Sequence, residues 1–200
     1  MRIQVGKSES EWLDLVWRWV HTEVQTQQRV FIPAGNTPLP IYRQWATSPS
    51  AHLRSLRFLQ IDDVLSGPKA GSFRQFLQQE LGPYQSQIEW IGEADHLADV
   101  ALLGVGLNGH VAFHEPSLPR DFYSGCVPLA AETRHHLTLG DNSWGITYGV
   151  GAFLRCSKIL ILARGEQKRQ VLRQATQSRH LPIAWIMEHP QSTLIADFAF

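Results

Sequence analysis

Val100-Ala101-Leu102-Leu103-Gly104-Val105 is an unbroken apolar run, and Gly106-Leu107-Asn108-Gly109-His110 follows it directly. A run of that length without polar alternation reads as a strand buried on both faces, the signature of a parallel sheet covered by helices. Reading outward, Lys158 to Ala163 repeats the pattern, and shorter strands are expected at Arg2 to Val5, Val30 to Ile32, Arg57 to Ile61, Ile88 to Ile91 and Thr193 to Ala196. Helical spacing lies between them. Ser8 and Glu11 form a capping-box pattern ahead of Trp12, Val16, Trp19 or Val20, and Val24. Pro38 suits the first turn of a helix over Leu39 to Ala46, and further helices are expected over Ser72 to Leu81, Tyr148 to Arg155, Glu166 to Thr176 and Ile183 to Glu188. Strands alternating with helices imply right-handed crossovers. The expectation is one α/β domain over 1–200, an open, mainly parallel sheet of Rossmann-like type with helices on both faces.

Composition narrows the function classes. The 200 residues carry 18 basic and 18 acidic side chains, so no global field draws in nucleic acid or an anionic membrane. Any bound anion must be held by local geometry. No stretch reaches the roughly 18 apolar residues of a membrane span, and the N-terminus lacks a signal-peptide run. Cys126 and Cys156 are too few for a disulfide framework. A soluble, cytoplasmic protein is expected.

In open α/β sheets ligands bind beyond the carboxyl ends of the strands. Four such ends carry unusual residues. Gly35-Asn36-Thr37-Pro38 is a strand-to-helix turn whose free N–H groups and hydroxyl would cradle a phosphate, or simply a tight turn with Thr37 as cap. Lys168 stands in the first turn of a helix, against the helix dipole, where an anion would compensate it. Asp62 and Asp63 follow an apolar strand, where a desolvated carboxylate can act as general base and an ordinary one caps a turn. The fourth end runs from Gly104 to His110.

That last stretch matches G-x-G-x-x-G, but Pro116 and Pro119 stop a helix over His110 to Glu115 after barely two turns, so a dinucleotide site is not expected. His110 and His114 would share a helix face with Glu115 nearby, yet spacing supplies no third ligand and no metal is expected. His110 as an acid/base with Glu115 orienting its ring is the better reading. No G-x-S-x-G nucleophile elbow occurs.

Phe58-Leu59-Gln60-Ile61-Asp62-Asp63, together with Leu103-Gly104-Val105-Gly106-Leu107-Asn108-Gly109-His110-Val111-Ala112-Phe113-His114-Glu115-Pro116, resembles the glucosamine-6-phosphate deaminase/isomerase family, to which the 6-phosphogluconolactonases are related. The turn at Gly35, the stretch Ile146 to Gly151, and Gly165-Glu166-Gln167-Lys168 follow the same family, so the similarity runs along nearly the whole chain. The run from Gly109 to Pro116 looks like the deaminase version. The resemblance implies that Asp62 moves a proton between C1 and C2 of an opened amino-sugar 6-phosphate. It likewise implies that His110 assists ring opening and Glu115 orients it. Gly35, Asn36, Thr37 and Lys168 match phosphate-holding positions, and Asp63, Gly106 and Gly109 are grouped with them as substrate-binding. No metal or organic cofactor is implied; the partner is a small sugar phosphate, with no nucleic acid or membrane, and a homo-oligomer is left open.

The departures from the family also carry expectations. Asn108, grouped with the catalytic residues, stands where the family usually has an aspartate, which removes a charge near His110 and lowers the pKa of its imidazolium. His114 replaces a usual asparagine and Val64 a usual tyrosine. Arg134 is the nearest candidate for a second phosphate cation, the basic residues of the family's allosteric site have no counterparts around Tyr123 to Val127, and the segment from Ile91 to Val100 is shorter than the family's lid region. Two alternatives remain beside the isomerase/deaminase: a 6-phosphogluconolactonase-type hydrolase with His110 as base for water, and a sugar-phosphate-binding protein with weakened catalysis.

Overall fold

The structure, a computed structural model, describes residues 1–93 and 97–199. In chain order the elements begin β1 (Arg2–Val5), α1 (Glu9–Glu23), β2 (Arg29–Ile32), α2 (Leu39–Thr47), α3 (Ala51–Arg54), β3 (Arg57–Gln60), β4 (Asp62–Val64), α4 (Ser72–Glu80) and β5 (Ile88–Glu89). They continue with β6 (Val100–Gly104), β7 (Ser124–Pro128), α5 (Ala131–Leu137), β8 (Trp144–Tyr148), α6 (Val150–Phe153), β9 (Lys158–Ala163), α7 (Lys168–Gln177), α8 (Pro182–Met187) and β10 (Ser192–Ala196).

Seven strands form a sheet in the order β1-β10-β9-β6-β2-β3-β5, every pair parallel. The apolar run at Val100 lies near its centre, between β9 and β2, as a strand buried on both faces must. Alternate side chains of β9 enter opposite layers. Leu160 and Leu162 pack with Trp12, Val16, Tyr42 and Trp45 of α1 and α2. Ile159 and Ile161 pack with Val171, Leu172, Ile183 and Ile186 of α7 and α8. Helix α1 starts where its sequence indicates: Ser8 Oγ accepts the Glu11 N–H at 3.2 Å, while Glu11 returns its bond to the Lys7 N–H at 2.7 Å. The expected α/β sheet with helices on both faces is therefore present. No helix of the described residues is long and apolar enough to cross a membrane.

A second, three-stranded antiparallel sheet, β4-β8-β7, differs from the sequence reading. Asp62 and Asp63 do not merely trail β3; they lie in a strand of this sheet, opposite Thr147 and Ile146. The chain changes sheets at Ile61, whose N–H reaches the Ile32 carbonyl at 3.3 Å while its own carbonyl takes the Tyr148 N–H at 2.8 Å. The helix expected over Tyr148 to Arg155 is instead the end of β8 followed by the single turn α6. Gly149 and Gly151 set this corner, because a Cβ at either would fall within 2.4 Å or less of a backbone oxygen of Phe122 or Asp121. His110 to Glu115 form no helix. Val111 and His114 bridge across a tight turn with Ala112 at φ 53, and the Phe113 N–H goes to Thr147 Oγ1 at 3.1 Å. Cross-chain bonding to β8 overrides the helical spacing. The small sheet encloses its own apolar cluster of Val64, Phe113, Val127 and Leu129. Of the segment expected to be a shortened lid, residues 94–96 lie outside the described residues.

Candidate active site

The turn after β2 and the start of α7 meet above the end of β6. Gly35 adopts φ +103, a conformation open to glycine, and the space a Cβ would occupy is empty. Lys168 Nζ donates to Thr37 Oγ1 at 2.8 Å, joining residues 131 positions apart. The Thr37 hydroxyl thus faces the lysine and does not cap α2. Burial holds the Lys168 pKa down at about 8, with Asp197 pulling it up and Arg164 pushing it down. A half-buried cation at a helix start, bonded to a neutral hydroxyl, has the chemistry to take an anion. Asn36 is exposed on the same turn. Arg134 Nη1 donates to the Leu129 carbonyl at 2.5 Å.

Asp62 and Asp63 are both buried but differ in their partners. Asp63 is saturated: Oδ1 accepts the N–H groups of Val64 at 2.8 Å and Phe73 at 3.0 Å, and Oδ2 accepts Arg74 N–H and Gln60 Nε2, each at 3.0 Å. Phe73 and Arg74 open α4, whose own cap position is Gly71 and offers no side chain, so Asp63 caps that helix from another strand. This is a structural role where substrate binding was expected. Asp62 receives no such bonds among the described residues, and its carboxyl pKa is driven well above the usual range by burial and then by the Asp63 charge.

His110 and Glu115 come together across the turn, with Nδ1 3.7 Å from Oε2. Asn108 binds both ends of the arrangement: its Nδ2 donates to Glu115 Oε2 at 3.0 Å and its Oδ1 accepts the His110 N–H at 3.1 Å. Burial lowers the His110 pKa; Glu115 opposes the shift, and His136 and Lys168 add to it. The ring therefore favours its neutral form at pH 7, and the Lys168 charge is felt here as well. Gly106 has a different part from the one expected, since a Cβ there would lie 2.2 Å from the His110 ring; the glycine makes room for the imidazole. Gly109, at φ +86, packs against Leu181 and gives its carbonyl to the Ile183 N–H at 3.1 Å, which anchors α8.

Two features were not visible beforehand. Thr133, on α5, donates its hydroxyl to Glu115 Oε1 inside the core. Thr147 pairs with Asp62 in the small sheet and holds Phe113, so the strand of Asp62 and the turn of His110 are built against each other. His114 is fully buried, its Nδ1 accepting the Val150 N–H at 3.1 Å, with a pKa lowered to about 4 by burial. Among the described residues no group of three or more His, Cys, Asp or Glu side chains is placed to hold a metal ion.

This geometry can be set beside known proteins. A glucosamine-6-phosphate deaminase of Bacillus cereus (strain G9842) is 25% identical over 228 residues, covering 98% of this chain and 87% of that protein. One from Streptococcus pneumoniae (strain 70585) is 27% identical over 199 residues, covering 85% and 84%. Among solved structures, a monomeric glucosamine-6-phosphate deaminase superposes with a TM-score of 0.79 at 18% identity, covering 98% and 97%. The 6-phosphogluconolactonase of Thermotoga maritima gives 0.71 at 18% identity, covering 98% of each chain. Residues 68–195 match the family model for glucosamine-6-phosphate isomerases/6-phosphogluconolactonase, and the chain belongs to that family.

Proposed function

We propose that this chain is an enzyme acting on an amino-sugar 6-phosphate, as an aldose-ketose isomerase/deaminase. The observation that carries this reading is the contrast between adjacent aspartates: Asp63 is consumed by four hydrogen bonds, while Asp62 is buried and unbonded among the described residues. A buried carboxylate whose basicity is raised is suited to take a proton from carbon.

In this reading Gly35, Asn36, Thr37 and Lys168 hold the phosphate. His110, neutral and oriented by Glu115 and Asn108, takes the C1 hydroxyl proton and returns it to the ring oxygen, which opens the sugar to its aldehyde. Asp62 removes the C2 proton while the aldehyde oxygen takes a proton from the substrate ammonium, giving an enolamine; Asp62 then delivers its proton to C1, leaving a protonated imine at C2. Water adds at C2, ammonia departs, and a ketose phosphate remains. The substrate ammonium, brought beside Asp62, favours the ionised carboxylate that the first transfer needs.

The 6-phosphogluconolactonase reading has one observation in its favour: a neutral His110 whose buried Nδ1 faces Glu115 leaves its other ring nitrogen as a base for water. Assaying ammonia release from glucosamine 6-phosphate against hydrolysis of 6-phosphogluconolactone separates the two. The deaminase reading expects ammonia and no lactone hydrolysis above the spontaneous rate. The reverse result replaces it with the lactonase, and sugar-phosphate binding without either turnover replaces it with a binding protein.

A further inference from the structure

We infer that Thr133 is a positioning residue for the His110–Glu115 pair. The inference rests on the acid/base reading of His110 given above and assigns a role to a helix outside the segment that carries the pair.

Glu115 is 4% exposed, so both carboxylate oxygens need donors from the protein. Oε2 lies between Asn108 Nδ2 at 3.0 Å and His110 Nδ1 at 3.7 Å. Oε1 receives the Thr133 hydroxyl. A carboxylate can only accept, so the threonine must be the donor, and a hydroxyl bonded to a charged acceptor makes a short, strong bond. Two donors on different oxygens define the carboxylate plane, whereas Asn108 alone would leave it free to turn about that single bond. Because His110 lies beyond bonding distance, the direction of Oε2 decides how much of the Glu115 charge its ring feels. Thr133 itself is held: it is 3% exposed, on a helix whose start is tied down by Arg134 on the Leu129 carbonyl and whose end is tied by Lys69 on the Leu137 carbonyl. Helix α5 thus brings a rigid donor 18 residues along the chain to Glu115.

The groups acting on His110 are Glu115, which favours its charged form, and His136 and Lys168, which oppose it. Removing the Thr133 hydroxyl weakens only the first. Thr133→Val keeps the volume and loses the donor; Thr133→Ser keeps the donor. The test is the titration of the His110 ring by NMR in protein labelled with 15N-histidine, followed by kcat and KM for the substrate found above. In Thr133→Val the His110 pKa is expected to fall and kcat to drop about tenfold, as for other supporting side chains around tuned groups. KM should stay within about twofold, because the phosphate ligands are untouched. Thr133→Ser should return both values to wild type. Should the valine variant fail to fold, Thr133→Ala lacks the same donor and must give the same shift. A folded Val or Ala variant with an unchanged His110 titration overturns the inference, whatever its melting temperature. The titration needs no substrate. A wild-type protein that turns over neither glucosamine 6-phosphate nor the lactone would therefore count against the proposed function and leave the Thr133 measurement decisive on its own terms.

Discussion

The Lys168–Thr37 end and the His110–Glu115 end of the candidate site are built by different means. At the first, Gly35 and Thr37 stand in the turn after β2, Lys168 opens α7 after β9, and one side-chain bond of 2.8 Å joins Thr37 to Lys168. At the second, Asp62 lies in the small antiparallel sheet, His110 and Glu115 in a turn stitched to β8, and Thr133 on a helix between β7 and β8. The first end rests on where two parallel strands end and on a single side-chain bond, so few residues there lean on one another. The second depends on cross-chain bonds, so changes there couple, and neighbouring residues can have opposite jobs.

The largest expected effects come from the neighbours at the second end. Asp62→Asn should lower turnover of glucosamine 6-phosphate by about a thousandfold, the scale of a lost general base. It should leave the melting temperature unchanged or higher, since a buried, unbonded carboxylate costs stability. Asp63→Ala should do the reverse in kind, destabilising the fold by roughly 3 kcal/mol as four buried or part-buried donors lose their acceptor, which chemical denaturation would read. Equal effects on stability from both substitutions would break the contrast.

At the Lys168–Thr37 end, Lys168→Met should weaken sugar-phosphate binding by about a hundredfold in calorimetry. It should also stabilise the empty protein near pH 7. The lysine titrates at about 8 in the folded protein against an ordinary value of 10.5, so the stability linked to it is complete above pH 10.5 and lost as pH falls through 8. Below pH 8 the folded protein carries a charge it would shed, and removing it should gain about 1–2 kcal/mol. In wild type, sugar-phosphate affinity should decline as pH rises beyond about 8.

His114 gives a smaller, global signal. Its folded pKa of about 4 lies below the ordinary 6.5, so its contribution is complete above pH 6.5, drains away between 6.5 and 4, and is flat below. The loss should be on the order of 2 kcal/mol, and His114→Gln should flatten that part of the stability curve. Smallest is Asn108→Asp, expected to raise the His110 pKa and increase turnover a few-fold. That gain is limited because the new carboxylate would confront Glu115 Oε2, where Asn108 now donates at 3.0 Å.

The same division explains what could be read in the residues alone. Apolar runs at Val100 and Lys158 and the cap at Ser8 are local signals, and they appear in the structure as expected. Thr37 and Lys168 meet because parallel-sheet topology places both at strand ends. The small sheet left no such trace. β4 is three residues long, β7 alternates weakly, and the 110–115 turn looks helical until Thr147 claims the Phe113 N–H. Thr133 carries no signal at all in the sequence, being one threonine in a polar stretch. The distinction between Asp62 and Asp63 needs the position of α4, since only that helix start makes one of them a cap.

The most direct measurement follows the C2 proton. Glucosamine 6-phosphate turned over in deuterated water and observed by NMR reports whether C2–H is cleaved and where hydrogen returns. Wild-type protein is expected to cleave C2–H, release ammonia and form a ketose phosphate with hydrogen delivered to C1, while folded Asp62→Asn protein leaves C2–H intact over the same period. An Asp62→Asn protein that cleaves C2–H at the wild-type rate would contradict the assignment of Asp62 as the base.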